Sequence, residues 1–229
     1  MDSFESSSQS HWIPLSDLMT GLMLIFMLLS ALFMLRVEQT TTLVVREYEV
    51  TKNDLLRALQ DSFAKDLKQW NAEFLGDMTL RFNNPDVLFA TGSSTLRPEF
   101  KKILSDFVPR YMSILRDKKY KEAIKEIRIE GHTSSFWGKV SDQDAYFKNM
   151  ALSQERTRSA LEYILKLPSM NGDDEWLRGH LTANGLSSSR PIKRQDDSID
   201  EQASQRVEFR LVTNAEERLE SLARQIAKK

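Results

Sequence analysis

A single acid, Asp17, stands at the start of a long apolar run and is the residue best placed for proton chemistry. Residues 18–35 carry no charge, and an ionised carboxylate inside a bilayer costs at least ~2.5–3.5 kcal/mol on insertion scales. If a partner helix desolvates Asp17, its neutral form is favoured and it could bind and release protons. Ser16 and Thr20 are near enough to donate hydrogen bonds or to position a water. The alternative is an acid in the first turn of a helix, favoured by the helix dipole and hydrated by lipid headgroups.

A second group of candidate binding residues lies at the end of a predicted strand and at the start of a predicted helix. Gly131-His-Thr133 follows the strand, and residues 149–156 predict the first turns of the helix. Free N–H groups at a helix N-terminus attract a carboxylate, and Arg156 could add a charge-assisted pair of hydrogen bonds. The alternative is that Asn149 and Ser153 only cap the helix and that Arg156 is solvated.

The element that must position Asp17 is a helix predicted over residues 12–36, which is long and apolar enough to span a membrane. A secretory signal peptide is excluded by the acidic flank, the long core and the lack of a clear small-residue cleavage site. Residues 1–11 predict a polar tail. Only Arg36 follows the span closely, and the positive-inside rule would then place the C-terminal side in the cytoplasm.

Composition narrows the function classes open to the remaining residues. Lys and Arg number 32 against 33 Asp and Glu, so that bulk charge does not favour direct nucleic-acid binding. The absence of cysteine excludes disulfide scaffolds and cysteine-based metal or redox sites. Phosphate loops, dinucleotide fingerprints and hydrolase motifs are absent, and the three histidines lack metal-ligand spacing. The sequence therefore predicts a protein that is not an enzyme, with no metal and no cofactor.

Apolar periodicity predicts an α+β domain with helices over one face of a sheet, joined to the membrane helix by a linker. In the linker, residues 37–75, an apolar helical stripe either packs on the domain or forms a self-associating stalk. The domain is predicted over residues 76–214, with a terminal amphipathic helix over residues 215–229. Strands are predicted at residues 80–82, 87–89, 127–130, 181–185 and 207–211. One helix is predicted from Pro98 to a break or kink at Pro109, and a second helix over residues 149–165. A loop of about twenty residues is predicted before the second helix.

Several of these segments, taken in order, resemble the OmpA-like peptidoglycan-binding domain. They are Phe89–Pro98, Gly131–Thr133, Asn149–Arg156, Gly185–Pro191 and Arg206–Glu208, and the resemblance covers residues 78–213. It implies a pocket that binds the diaminopimelate of a peptidoglycan stem peptide through Thr133, Ser134, Asn149, Leu152, Ser153, Arg156 and Arg206. The sequence departs from the family pattern at Ser134, where an Asp is usual, and at Ser187, Ser204 and Gln205.

The N-terminal pattern Trp-x-x-x-x-Asp-Leu-Met-Thr, residues 12–20, resembles the membrane span of MotB-type stator subunits. The short chain, the lack of a basic tail and the run of residues 131–137 are more similar to the B subunits of Zorya anti-phage defence motors. This resemblance implies a homodimer inside a pentamer of MotA-like A subunits in the bacterial inner membrane, with a cytoplasmic N-terminus and a periplasmic C-terminal domain. It also implies proton transport by Asp17 and rotation that signals to cytoplasmic defence effectors. A flagellar stator subunit and a non-conducting tether between membrane and cell wall remain the alternatives.

Overall fold

The computed structural model describes residues 12–83, 85–170 and 174–214, and the chain divides into two compact units. Among the described residues, one unit holds residues 12–49 and the other holds residues 50–214. The predicted polar tail, residues 1–11, and the predicted terminal helix, residues 215–229, lie outside the described residues.

The first helix, α1, runs over Trp12–Phe63 and contains the apolar stretch. Within it, the 25-residue segment Leu15–Gln39 contains an 18-residue window with a mean hydropathy of 2.5 and is long and apolar enough to cross a membrane. Their large apolar side chains, such as Leu22 and Phe26, are exposed in the isolated chain. Because these side chains have no partner in the described part of this unit, a lipid environment would stabilise them.

The second unit is an α+β domain whose described residues include a five-stranded sheet in the order β1-β2-β5-β3-β4. β3 and β4 are parallel and the other neighbouring strands are antiparallel. This architecture confirms the predicted fold class. The helices are α2 Leu67–Trp70, α3 Pro85–Leu88, α4 Pro98–Leu115, α5 Asp142–Leu165, α6 Asp174–His180 and α7 Glu201–Ser204, and the strands are β1 Ala72–Phe74, β2 Thr79–Phe82, β3 Ile124–His132, β4 Leu181–Gly185 and β5 Arg206–Thr213.

Side-chain alternation along the strands builds the core on the helix-covered face of the sheet. In β5, Val207, Phe209 and Leu211 are buried in the core, and Ile127 and Ile129 of β3 join them. Because successive side chains of a strand point to opposite faces, the intervening polar residues lie on the other face. The sheet therefore has an apolar face under the helices and a charged face opposite.

The C-terminal end of α1 is part of the domain core. Leu59 and Phe63 are fully buried, and the ring centroid of Phe63 lies 5.3 Å from that of Phe107. For this end of the predicted stripe, packing on the domain is the interpretation that the contacts support. The compact unit accordingly begins at Val50, well before residue 76, and β1 adds an edge strand that the sequence pattern did not predict.

Three local predictions are wrong in physically informative ways. Residues 87–89 were predicted as a strand, but α3 continues to Leu88 and Phe89 makes only an isolated bridge to Leu96. Pro109 neither ends α4 nor divides it in two, so the predicted break is wrong, while the alternative of a kink stays a prediction. The predicted twenty-residue loop spans only residues 133–141, because Ser141 caps α5 by accepting a hydrogen bond from the Asp144 backbone N–H at 3.1 Å.

Candidate functional site

A cleft of about 390 Å³ opens at the end of β3, beside α5. Its walls come from the loop after α3, the loop after β3, one face of α5 and the residue before β5. Arg156 is the only charged residue among the described residues that line it. The lining residues are Thr91, Gly92, Thr133, Ser134, Phe136, Trp137, Gly138, Asn149, Leu152, Arg156 and Gln205.

Two glycines allow α5 to approach the strand ends closely enough to form this cleft. A Cβ atom at Gly185 of β4 would lie 2.3 Å from the backbone nitrogen of Gln154, and one at Gly131 of β3 would lie 2.7 Å from Cγ2 of Thr157. Neither distance is possible between non-bonded atoms at rest. Because Gly131 and Gly185 have no side chains, α5 can lie close to the sheet, and Arg156 lies beside the loop that follows β3.

Arg156 is a nearly buried cation, with 7% of its surface exposed. Its Nε donates to the Ser93 carbonyl at 2.9 Å and its Nη2 to the Ala90 carbonyl at 3.3 Å, while the guanidinium carbon lies 5.0 Å from the Phe89 ring centroid. Burial lowers its pKa from the usual 12.5 to about 10, so it stays charged at neutral pH. Since no carboxylate among the described residues pairs with it, an anionic ligand would supply the missing counter-charge.

Thr133 contributes a polar group that lacks a partner. Its backbone N–H donates to the Ser187 carbonyl at 3.0 Å, which fixes the start of the loop. Its hydroxyl is buried and makes no hydrogen bond to any described residue, and Thr133 is one of the residues that line the cleft. A buried hydroxyl without a partner costs about 1–3 kcal/mol, and a ligand atom in the cleft could satisfy it.

We expect Thr133→Val to leave stability unchanged or to raise the free energy of unfolding by about 1 kcal/mol, because it removes an unpaired buried hydroxyl and keeps the shape. The measurement is chemical denaturation of the full chain in detergent. Thr157→Val is the matched control, since the Thr157 hydroxyl donates to the Ser153 and Gln154 carbonyls and its loss should destabilise. Equal losses of stability in both variants would show that the Thr133 hydroxyl is already paired.

The predicted anion-binding corner at an exposed helix N-terminus is wrong. α5 begins at Asp142, so that Asn149 lies inside the helix and its backbone is not free to bind a ligand. The Asn149 side chain instead donates from Nδ2 to the Phe136 carbonyl at 3.3 Å and fastens the loop after β3. A Ser-x-x-Asp pattern at residues 141–144 is the capping signal that could have located the helix start.

Of the seven residues predicted for the pocket, five line the cleft, and Ser153 and Arg206 do not. The Ser153 hydroxyl accepts a hydrogen bond from the Ser187 N–H at 3.0 Å and holds the turn after β4 against α5. Arg206 lies on the charged face of the sheet, where Nε donates to Glu208 at 2.7 Å. Phe136, Trp137 and Gln205 line the cleft although none of them was predicted as a pocket residue.

Comparisons with known proteins agree with this geometry. The OmpA family model matches residues 88–206, which include every residue that lines the cleft. The chain is 43% identical over 217 residues to the Zorya protein ZorB of Escherichia coli, and the match covers 93% of this chain and 92% of that protein. The chain belongs to the ZorB family of OmpA-domain proteins. Membership in the ZorB family confirms that the chain is not an enzyme and supports a stator-like, peptidoglycan-associated role.

Solved structures also resemble this ZorB-family chain. A putative MotB-like protein from Desulfovibrio vulgaris is 23% identical, with a TM-score of 0.48, and the match covers 75% of this chain and 97% of that one. The cell wall anchor of the T6SS from Pseudomonas aeruginosa is 21% identical, with a TM-score of 0.46, and the match covers 68% and 96%. An apolar N-terminal helix followed by an OmpA-like domain fits a single-pass membrane protein whose domain is periplasmic.

The ZorB-family domain carries a buried charge cluster on the charged face of its sheet. His132 Nε2 lies 3.4 Å from Glu208 Oε2 and 3.9 Å from Glu130 Oε2, and all three side chains are buried. These three groups could in principle hold a metal ion. The carboxylates, however, already pair with four guanidinium groups, and this positive charge opposes a divalent cation. The arginines are Arg81, Arg190, Arg206 and Arg210.

We expect the free energy of unfolding to fall as the pH drops below about 6.5, in part because of His132. Burial lowers the pKa of His132 below its usual 6.5, despite the nearby Glu208. The unfolded chain therefore binds a proton first, and the stability present above pH 6.5 is lost as the pH falls through the folded pKa. Denaturant titrations between pH 8 and 5 measure this slope, and His132→Gln should make it shallower. An unchanged slope in that variant would contradict the assignment.

Glu208 extends the same pH dependence to more acidic solutions. Burial would raise the pKa of Glu208, but the nearby His132 and Arg206 lower it well below its usual 4.5. Its contribution is present above pH 4.5 and is lost as the pH falls further. As the pH falls, the contribution of His132 therefore begins to be lost at a higher pH than that of Glu208.

Proposed function

We propose that the chain is the proton-conducting stator subunit of an inner-membrane rotary motor in anti-phage defence, anchored to peptidoglycan. One observation carries the proposal: Asp17 directly precedes the uncharged residues 18–35 of a membrane-length helix segment, in the same chain as an OmpA-family domain with a cleft built around a buried cation. The first feature supplies a proton carrier and the second an attachment to the cell wall.

The cleft suits a carboxylate of a peptidoglycan stem peptide. The Arg156 guanidinium is held in place by two backbone carbonyls before any ligand arrives, so that little side-chain entropy is lost on binding. The Thr133 hydroxyl adds a second polar group. For diaminopimelate, the carboxylate would pair with Arg156, and the ammonium would be met by neutral oxygens because position 134 is Ser.

Asp17 suits proton transfer because it lies on the exposed surface of α1, near the N-terminal end of the apolar stretch. The neighbouring Thr20 hydroxyl donates to the Ser16 carbonyl at 2.8 Å. In the proposed assembly, two copies of the chain sit inside a pentamer of MotA-like A subunits, and a helix of an A subunit desolvates Asp17. The neutral acid can leave a polar contact on that helix, whereas the charged acid must find one.

The proposed direction of assembly places the N-terminus in the cytoplasm and the domain in the periplasm. Each proton that crosses the membrane is worth ~2.3 kcal/mol per 100 mV of potential. The domain holds the dimer still against the wall while the surrounding ring turns. The rotation would then signal to defence effectors in the cytoplasm.

The anchoring half of the proposal is tested by Arg156→Ala. We expect about tenfold or greater loss of retention on purified cell-wall sacculi, because a charge-assisted contact in a buried site contributes ~1.5–3 kcal/mol. The assay is co-sedimentation of the full chain in detergent with sacculi over a concentration series.

Arg158→Ala is the matched control for that experiment. Arg158 lies two residues further along the same helix, is exposed and pairs with Glu162 at 3.0 Å. Its loss should leave retention unchanged. Near-UV circular dichroism of both variants separates a lost contact from a lost fold. If a folded Arg156→Ala variant is retained as well as wild type, Arg156 does not bind the cell wall and the binding site lies elsewhere.

A further inference from the structure

We propose that the domain carries a sugar-binding aromatic platform beside the cleft, formed by Phe136, Trp137, Tyr146 and Phe147. This inference rests on the proposed peptidoglycan function and deepens it, because it assigns the glycan strand to a surface that adjoins the peptide cleft and shares Phe136 and Trp137 with it. The stem peptide would enter the cleft at Arg156 while the sugar to which it is attached lies on the platform.

The platform is exposed in a domain that otherwise buries its aromatic rings. Phe136 and Phe147 are 70% and 60% exposed, and Tyr146 is also exposed. Within described residues 50–214, every phenylalanine or tyrosine classed as exposed lies in this short segment. The ring centroids of Tyr146 and Phe147 lie 6.0 Å apart on α5, and Phe136 and Trp137 lie on the loop that Asn149 fastens to that helix. Because exposed apolar rings are costly to hydrate, their concentration on these two linked segments indicates a binding surface.

The platform is also held in place by the chain around it. The Phe136 carbonyl accepts a hydrogen bond from Asn149 of α5. The preceding residue, Ser135, is fixed by the Glu201 carboxylate, which accepts hydrogen bonds from the Ser135 N–H at 2.8 Å and from the Ser135 hydroxyl. The Lys148 ammonium lies 6.0 Å from the Trp137 ring centroid. Since these contacts fix the backbone of the loop before a ligand binds, less conformational entropy is lost on binding.

The position of the rings identifies a sugar as the occupant. Phe136 and Trp137 form part of the cleft wall as well as of the platform, so a ligand seated in the cleft continues over them. In peptidoglycan, the group attached to the stem peptide is a sugar of the glycan strand. A sugar ring has an apolar C–H face that packs on an aromatic ring and hydroxyls at its rim that bind polar groups.

Charge argues against a lipid surface at the same place. The charged residues that flank the platform on the loop and on the first turns of α5 are Lys139, Asp142, Asp144 and Lys148. Two cations and two anions cancel, so that the surface offers no net attraction to anionic headgroups. A neutral sugar needs none.

The test compares two probes on the full chain in detergent: a muropeptide that keeps its disaccharide, and the same stem peptide freed of sugar by an amidase. Wild type should bind the muropeptide about tenfold more tightly than the peptide. Phe147→Ala, which lies outside the cleft lining, should remove this difference and leave peptide affinity unchanged. Phe136→Ala should reduce muropeptide binding more than peptide binding. Ile199→Ala, another exposed apolar side chain of the domain, is the control and should change neither.

Each other outcome overturns the inference. Equal affinity of wild type for the two probes would refute the platform and leave the peptide cleft intact. An equal loss for both probes in Phe147→Ala would make the rings a support for the cleft. Unchanged muropeptide binding by Phe136→Ala and Phe147→Ala, with loss of self-association or of binding to lipid vesicles, would assign the surface to another partner. Failure of wild type to bind either probe would refute the proposed wall anchor itself.

Discussion

Asp17→Asn is expected to abolish proton flux and phage protection while the chain still assembles in the membrane. Asn has the size of Asp but cannot release a proton near neutral pH, and its neutral amide avoids the cost of placing a charge in the membrane. Flux is measured as acidification of cells that carry the motor, protection as plaque counts, and assembly as co-purification with the A subunit.

Glu38→Gln is the control for this experiment. Glu38 is the next acid along α1, is exposed and lies twenty-one positions after Asp17 in the sequence, close to the end of the apolar stretch at Gln39. Its neutralisation should leave flux and protection intact. Full protection by Asp17→Asn would remove that acid from the mechanism and leave a non-conducting tether. Loss of swimming instead of protection would identify a flagellar stator.

Gly185→Ala is expected to lower the free energy of unfolding by about 3 kcal/mol, because overpacking against a backbone is relieved only by moving it. The added Cβ would lie 2.3 Å from the backbone nitrogen of Gln154 and 2.7 Å from its Cα. α5 would have to withdraw from β4, and Arg156 would withdraw with it. Denaturant titration of the full chain measures the stability, and sacculus retention should fall in parallel.

Gly179→Ala provides the comparison, since it is also a glycine-to-alanine change in the domain. A Cβ atom at Gly179 in α6 meets no atom within 4 Å, and alanine favours helix by up to ~1 kcal/mol. We expect no loss of stability. If Gly185→Ala unfolds at the same denaturant concentration as wild type, α5 stands further from the sheet than the structure places it.

Periodicity predicted the strands whose two faces differ chemically. Ile127 and Ile129 alternate with polar residues, as do Val207 and Phe209, and these segments form β3 and β5. The start of α5 was missed because residues 142–148 lack an apolar helical period. Their Phe147 is exposed where periodicity would require a core residue. Apolar periodicity reports which side chains are buried, so it does not locate a helix turn whose apolar side chain is exposed.

The cleft was predicted only as far as the family resemblance reached. Thr133, Asn149 and Arg156 belong to recurring motifs and lie together as implied. Strand alternation alone could have placed Arg206 on the face opposite Phe209, away from the cleft. The positions of Phe136 and Trp137 depend on the hydrogen bond between Asn149 of α5 and the Phe136 carbonyl. No sequence motif marks that pair of residues, so their place in the cleft could not be predicted.

α5 packs closely against the sheet at Gly131 and Gly185, where the sheet contributes no side chain, and it also carries Phe147 and Arg156. Side chains between packed elements can change rotamer under strain, whereas a hydrogen-bonded helix resting on main chain has little room to give. In the proposed anchor, a sideways pull at Arg156 would therefore pass through α5 into the sheet. Stiffness of this kind is what a stationary mount needs if the torque of a motor is not to be lost in stretching its own support.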